Sequence, residues 1–305
     1  MNSIFINLQL IFILFASCNF NAKDASVPLK LGKVESAANE AFNNYWYAGK
    51  AELNSYDLQQ SRYGELREGE VVLIFVTEPF SQSKQVKLDN PKAAKDDMVS
   101  VMKLNKSIKF KTGIYDYSIF SSTFSPIEIE KYPYVLKSTT SMQEWCGNSF
   151  TQLNLEKNKY ILQEFSYFES EGDRERQLNA AQLEDGLFTR IRLDKGQLPE
   201  GEIMLIPSTL YNRFTHKNLE VSKAKITKAE IDGNIKYTID YSNIKRTLSI
   251  EVENKFPFRI MSWTEDNGGG LLTSARIKAT TLQPYWAQKS LKDEEKRKEL
   301  LQMKN

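Results

Sequence analysis

Two short stretches of the chain hold residue types that do chemistry. The first is Glu144-Trp145-Cys146-Gly147, where a thiol lies beside a carboxylate and an indole. A thiol becomes a nucleophile when a base or a positive field lowers its pKa. Glu144 acts in the opposite sense, and the sole histidine, His216, stands far along the chain in the polar stretch "NRFTHKN". A Cys-x-x-Cys redox pair would need cysteine at 149, which is Ser149. Cys146 is therefore expected to pack as a small apolar side chain. Glu144 and Trp145 are ligand-binding candidates, the carboxylate orienting a ligand and the ring stacking on it. Core packing is the plainer role for Trp145. The second stretch is "TEDNGGG", 264–270. Its glycine N–H groups suit an anion or a close backbone approach, and Glu265 and Asp266 suit acid–base work or a hard cation. Both carboxylates join the binding candidates, against the plainer reading of a wide polar hairpin loop.

The cysteine expected to carry chemistry is Cys18. Residues 1–17, "MNSIFINLQLIFILFAS", have no charged side chain and run apolar from Ile4 to Ala16. That run is shorter than the roughly 20 residues a spanning helix needs, and it reads as the core of a signal peptide. Leu14-Phe15-Ala16-Ser17-Cys18 resembles the bacterial lipobox, with Phe15 where leucine is usual and no Lys or Arg before the apolar run. The resemblance implies cleavage after Ser17, a diacylglycerol thioether on Cys18 and acylation of the new amino group, palmitate being the typical chain. Each buried methylene contributes about 0.8 kcal/mol, so several chains anchor stably where one is marginal. Residues 18–34 read as the lipidated cysteine and a polar tether. Asn19 carries no acidic retention signal, which favours the outer membrane.

The elements that must position these residues are mostly strands. Ala38, Ala41, Phe42 and Tyr45 at helical spacing predict a short helix over 35–47. Val71–Val76 is a continuous apolar run, as expected of a strand buried on both faces. Strands are also expected across "GIYDYSIF" and "KYILQEFSYF". Residues 173–215 mix Gly, Pro and apolar clusters, with room for one or two short helices crossing the sheet. From Ile235 to Ala279 apolar and polar residues alternate between turn signals such as Asp232-Gly233, which reads as an antiparallel meander. The end of the chain, 286–305, reads as a charged helix with a thin apolar stripe. The expected organisation is one β-rich domain over 35–285 followed by that helix.

Composition narrows the function classes. The 305 residues carry 41 basic and 39 acidic side chains, a balance that gives no footprint for nucleic acid. One histidine leaves little supply for His-based metal centres or His-assisted nucleophiles. Nucleophile-elbow, phosphate-loop, dinucleotide and zinc-protease signatures are missing. No catalytic residue, metal ligand or cofactor is assigned.

"YWYAGKAELNSYDLQQSRYGELREGEVVLIFVTEPFS", "VKLDNP", "SMQEWCGNSFTQLN" and "SWTEDNGGGL" resemble bacterial lipoproteins of unknown function that are often labelled septum formation inhibitor Maf. The chain lacks the amino-terminal Ser-Pro-Arg-Arg-type loop of the nucleotide pyrophosphatases that bear that name. The carboxy-terminal meander is more loosely similar to LolA- and LolB-like envelope proteins. That similarity implies a mainly β fold: a large curved antiparallel sheet or half-barrel around a few short helices. The expected protein is a lipid-anchored envelope protein whose β domain binds a hydrophobic or amphipathic ligand, such as a lipid, or an envelope partner. Two alternatives stay open: a scaffold with an exposed apolar patch, and a hydrolase using Glu144 or the Glu265/Asp266 pair.

Overall fold

The computed structural model describes residues 37–301; Cys18 and the signal and tether segments lie outside them. Helix α1 (Ala37–Trp46) leads into strands β1 (Ala51–Arg62) and β2 (Glu65–Ser81), and then the one-turn helix α2 (Pro91–Ala94). Next come β3 (Met98–Thr112), β4 (Tyr115–Pro126), β5 (Lys137–Glu144), β6 (Gly147–Glu156), β7 (Lys159–Ser166), β8 (Arg174–Asn179) and β9 (Gln182–Leu183). Helix α3 (Leu187–Leu193), β10 (Gly201–Ile206) and α4 (Thr209–Thr215) follow. The chain then runs through β11 (Ser222–Ile231), β12 (Asn234–Tyr241), β13 (Thr247–Glu253), β14 (Ile260–Asp266) and β15 (Thr273–Gln283) to α5 (Glu294–Leu301).

All fifteen strands form one sheet. β1 to β7 each pair with the next, β9 to β14 do the same, and β15 pairs with β1. Every pairing is antiparallel except the short β9–β10 contact, which is parallel. The edge strands β8 and β9 remain unpaired to each other, although only Ala180 and Ala181 separate them in the chain. Three residue steps reach at most about 11 Å, so the sheet curls until its edges nearly meet. One apolar cluster, holding Val135, Leu153, Tyr160, Leu183, Ile206 and Leu219, fills that seam. The expected curved, mainly β fold is present, as a sheet that stops just short of closing.

Hydrophobic patterning explains the interior. Tyr117 and Ile119 of β4 share a core with Ile226 of β11, Tyr237 and Ile239 of β12, and Leu187, Phe188 and Ile191 of α3. The crossover from β9 to β10 carries α3 through the concavity, where the 173–215 segment left room for a helix. Strand β2 is buried on both faces, as its apolar run requires. Val71, Leu73 and Phe75 point into the main core, and Val72 and Val76 pack outside against Leu300 and Leu301 of α5. Burying each such leucine contributes about 1.5–3 kcal/mol. Ser55 Oγ donates to the Leu300 carbonyl at 2.5 Å, fixing the last turn of α5 on β1.

Two-residue hairpins set the register. Tyr63-Gly64 and Asp232-Gly233 have positive φ at both positions, the geometry that matches strand twist. The Trp145-Cys146 turn has neither, and is held instead by Glu144 Oε2, which accepts the Cys146 N–H at 2.8 Å.

Candidate functional site

The two chemically suggestive stretches do not converge. Glu144 spends its carboxylate on its own hairpin, and Cys146 is exposed rather than packed. The exposure follows from position: with β5 and β6 paired up to Glu144 and Gly147, residues 145 and 146 form the tip. The Glu144 carboxylate pushes the Cys146 thiol up, away from nucleophile behaviour. Trp145 is 69% exposed, so core packing is overturned for it too.

Glu265 and Asp266 are neighbours on β14 and therefore face opposite sides of the sheet. Glu265 Oε2 accepts from Arg246 Nη2 at 3.0 Å, whereas Asp266 is exposed and accepts the Gly268 N–H at 2.7 Å. The glycine run is thus turned toward its own aspartate. Among the described residues, no three His, Cys, Asp or Glu side chains gather as a metal ion would need.

What does converge is a pair of buried ion pairs at the two ends of the crossover. Glu184, just before α3, meets Arg246, which donates Nε to Oε2 at 2.8 Å and Nη2 to Oε1; Tyr241 Oη adds a bond at 2.7 Å. Arg192, in the last turn of α3, donates to Glu52 at 2.5 Å with both side chains fully buried. Asn54 and Tyr45 also donate to Glu52, and the Arg192 guanidinium stacks 5.1 Å from Trp46 and 4.7 Å from Phe75. Burial alone would raise both carboxyls, but the arginines and the added hydrogen bonds hold Glu52 and Glu184 below the ordinary 4.5. Sequence reasoning missed both pairs, whose partners stand 140 and 62 residues apart.

Near the Glu184 pair, α4 corks one end of the sheet. Leu210 and Phe214 pack against the core, and Arg62 donates to the Phe214 carbonyl at 3.0 Å. The cavity left between α4 and the sheet, lined by Lys106, Trp263 and Glu265 among others, holds about 10 Å³. That is room for about one water.

The same end carries the hairpins β1–β2, β3–β4 and β5–β6, together with the β7–β8 and β14–β15 connections. Their tips present Tyr63, Ile114, Trp145, Tyr167 and Leu272, of which Ile114 is 86% and Tyr167 72% exposed. Two of them, Trp145 and Tyr63, are linked through tyrosines of β4. Trp145 lies 6.5 Å from the Tyr115 ring, Tyr115 lies 5.8 Å from Tyr117, and Tyr63 and Tyr117 share a hydroxyl contact at 2.8 Å. Tyr167 lies against the backbone of Gly147, where a Cβ would stand 2.7 Å from its ring, so only glycine permits the contact. Of the residues singled out in sequence, Trp145 belongs to this rim and Glu144 fixes its turn.

No family model and no curated protein matches the chain. Among solved structures, one described as a beta-barrel-like protein of the domain of unknown function DUF1849 from Brucella abortus is similar, at TM-score 0.44 and 8% identity. The similarity covers 76% of this chain and 97% of that one.

Proposed function

We propose that this is a lipid-anchored envelope protein whose β domain holds an amphipathic ligand or an envelope partner at its rim of hairpin tips. One observation carries the reading. Five connections on one end of the sheet each place a large apolar side chain in solvent. Scattered apolar residues on a surface are ordinary, but a contiguous apolar set marks an interaction site. Trp and Tyr suit such a site because one part of each ring system is apolar and another hydrogen-bonds. The lipobox-like sequence ending at Cys18, and the resemblance to bacterial lipoproteins, support the anchor and the envelope location. The water-sized cavity beneath α4 favours the rim as the place where apolar groups are met. An acyl chain inside the sheet would require α3 or α4 to leave.

Native mass spectrometry of the gently extracted full chain tests this reading. The wild type should carry a co-purifying lipid-like or protein mass. A variant combining Ile114→Ser, Trp145→Ser and Tyr167→Ser should lose it while keeping its melting temperature. Equal loading of the two proteins, or none on either, would count against the rim. The hydrolase alternative loses ground because Glu265 is ion-paired to Arg246 and Asp266 lies on the other face.

A further inference from the structure

Beside the rim lies a second and chemically different feature. A cleft of about 260 Å³ opens between β6, β7 and the β7–β8 connection on one side and α4 on the other. It is smaller than the roughly 300–1,000 Å³ typical of drug-sized sites, so its occupant is small. The cleft is polar. Hydroxyls of Ser149, Thr151, Ser166 and Ser170 line it, and Phe165 offers one partly exposed aromatic face.

Its charges are unequal. Arg174, Arg213 and Lys217 line it against Glu164 and Glu171, three cations to two carboxylates. Both carboxylates are already engaged. Glu164 accepts from Arg174 at 2.8 Å and from Arg176 at 3.1 Å. Glu171 accepts from Arg213 at 2.8 Å, His216 Nδ1 at 2.7 Å and Ser166 at 2.6 Å. Those bonds hold the Glu171 carboxyl below its ordinary value against the opposing effect of burial. Among the described residues, Lys217 Nζ meets a neutral group, the Tyr211 hydroxyl at 3.3 Å, and no carboxylate.

The most specific sign is Asn212. It is 93% buried, being 7% exposed, and it lines the cleft. Its Nδ2 donates to the carbonyls of Lys217 and Asn218, which fixes the orientation of the amide. Its Oδ1 then has no hydrogen-bond partner. A buried acceptor without a donor costs about 1–3 kcal/mol. The oxygen has almost no open surface of its own, so a ligand hydroxyl that relieves that cost requires the Asn212 side chain to shift toward the cleft.

We infer that this cleft binds a small polyhydroxylated anion, with a hydroxyl donating to Asn212 Oδ1 and the anionic oxygens meeting Arg213 and Lys217. The shared chemistry is an acidic polyol, either free as a sugar acid or presented as the headgroup of an anionic lipid. Sequence gave no sign of it, because residues 149, 164–174 and 209–219 meet only in the fold.

Calorimetric titration of the full chain with glucuronate and with glucose tests the inference. Glucuronate should bind at least about tenfold more tightly than glucose. Arg213→Gln and Lys217→Gln should each weaken it by about three- to tenfold. Lys217 has no carboxylate partner among the described residues, so its variant should keep the wild-type melting temperature even if Arg213→Gln folds poorly. Sedimentation of Cys18→Ser protein with phosphatidylglycerol or phosphatidylcholine vesicles separates the two sources. Lys217-dependent capture by phosphatidylglycerol alone would assign the polyol to a lipid, and glucuronate binding without capture would assign it to a free sugar acid. Equal binding of glucose and glucuronate, or neither glucuronate binding nor Lys217-dependent capture, would overturn the inference. Trp145→Ser should leave glucuronate binding unchanged, so failure here is distinguishable from failure of the rim.

Discussion

Glu184 and Arg246 are buried together, and breaking such a pair costs more than breaking an exposed one. Removing one partner of such a pair leaves an uncompensated buried charge, at about 3–5 kcal/mol. Glu184→Gln or Arg246→Met should therefore lower the unfolding free energy in a chemical denaturation series by that amount. The double change Glu184→Leu with Arg246→Met should recover a large part of it. The acid dependence follows from the same groups. Glu52 and Glu184 have folded pKa values depressed below the ordinary 4.5. Their contribution is therefore complete above about pH 4.5 and is lost as pH falls through the folded values. Melting temperature should stay flat from neutral pH to about 5 and drop below 4.5, with a shallower acid limb in Glu184→Gln. Cys146 gives a third residue-scale test. In a Cys18→Ser background it is the single thiol, and Glu144→Gln should speed its reaction with a disulfide reagent near neutral pH. Its sequence neighbours argued against a nucleophile, and in the fold the Glu144 carboxylate pushes the thiol up. They did not show that Trp145 and Cys146 form the tip, because two-residue turns with no glycine or asparagine give no turn signal.

At the scale of elements, much was legible. The six-residue apolar run of β2 announced burial on both faces, and α1 and the strands of the carboxy-terminal meander follow from their periods. The identity of the outer cover was not legible. The helix at the chain's end shows only a thin apolar stripe, and its two leucines find Val72 and Val76 through the fold. Leu301→Ala should cost roughly 2–5 kcal/mol in a chemical denaturation series, the range for buried leucine truncations. Helix α3 was harder still. Its sequence, "LFTRIRL", places two arginines among apolar residues, and a short helix crossing the sheet was all that the segment announced. Arg192 is nevertheless buried, because Glu52, Trp46 and Phe75 meet it from elements far away in sequence.

At the scale of the whole molecule, alternation of apolar and polar residues specifies strands but not how many share a sheet. The pairing of β15 with β1 and the near-meeting of β8 with β9 depend on contacts between the two halves of the chain. The end-on gathering of hairpin tips is a consequence of that up-and-down order and was invisible before it. The proposed anchor belongs to this scale too: Cys18→Ser should move the protein out of the membrane fraction in a fractionation blot. The most direct test of the rim is photo-cross-linking in cells, with benzoyl-phenylalanine replacing Trp145 in one protein and Leu291 in another. Leu291, 84% exposed, follows the opposite end of β15 and serves as the control. The rim reading predicts a discrete adduct, lipid or protein, from position 145 and none from 291. Adducts from 291 alone, or the same adducts from both positions, would contradict it.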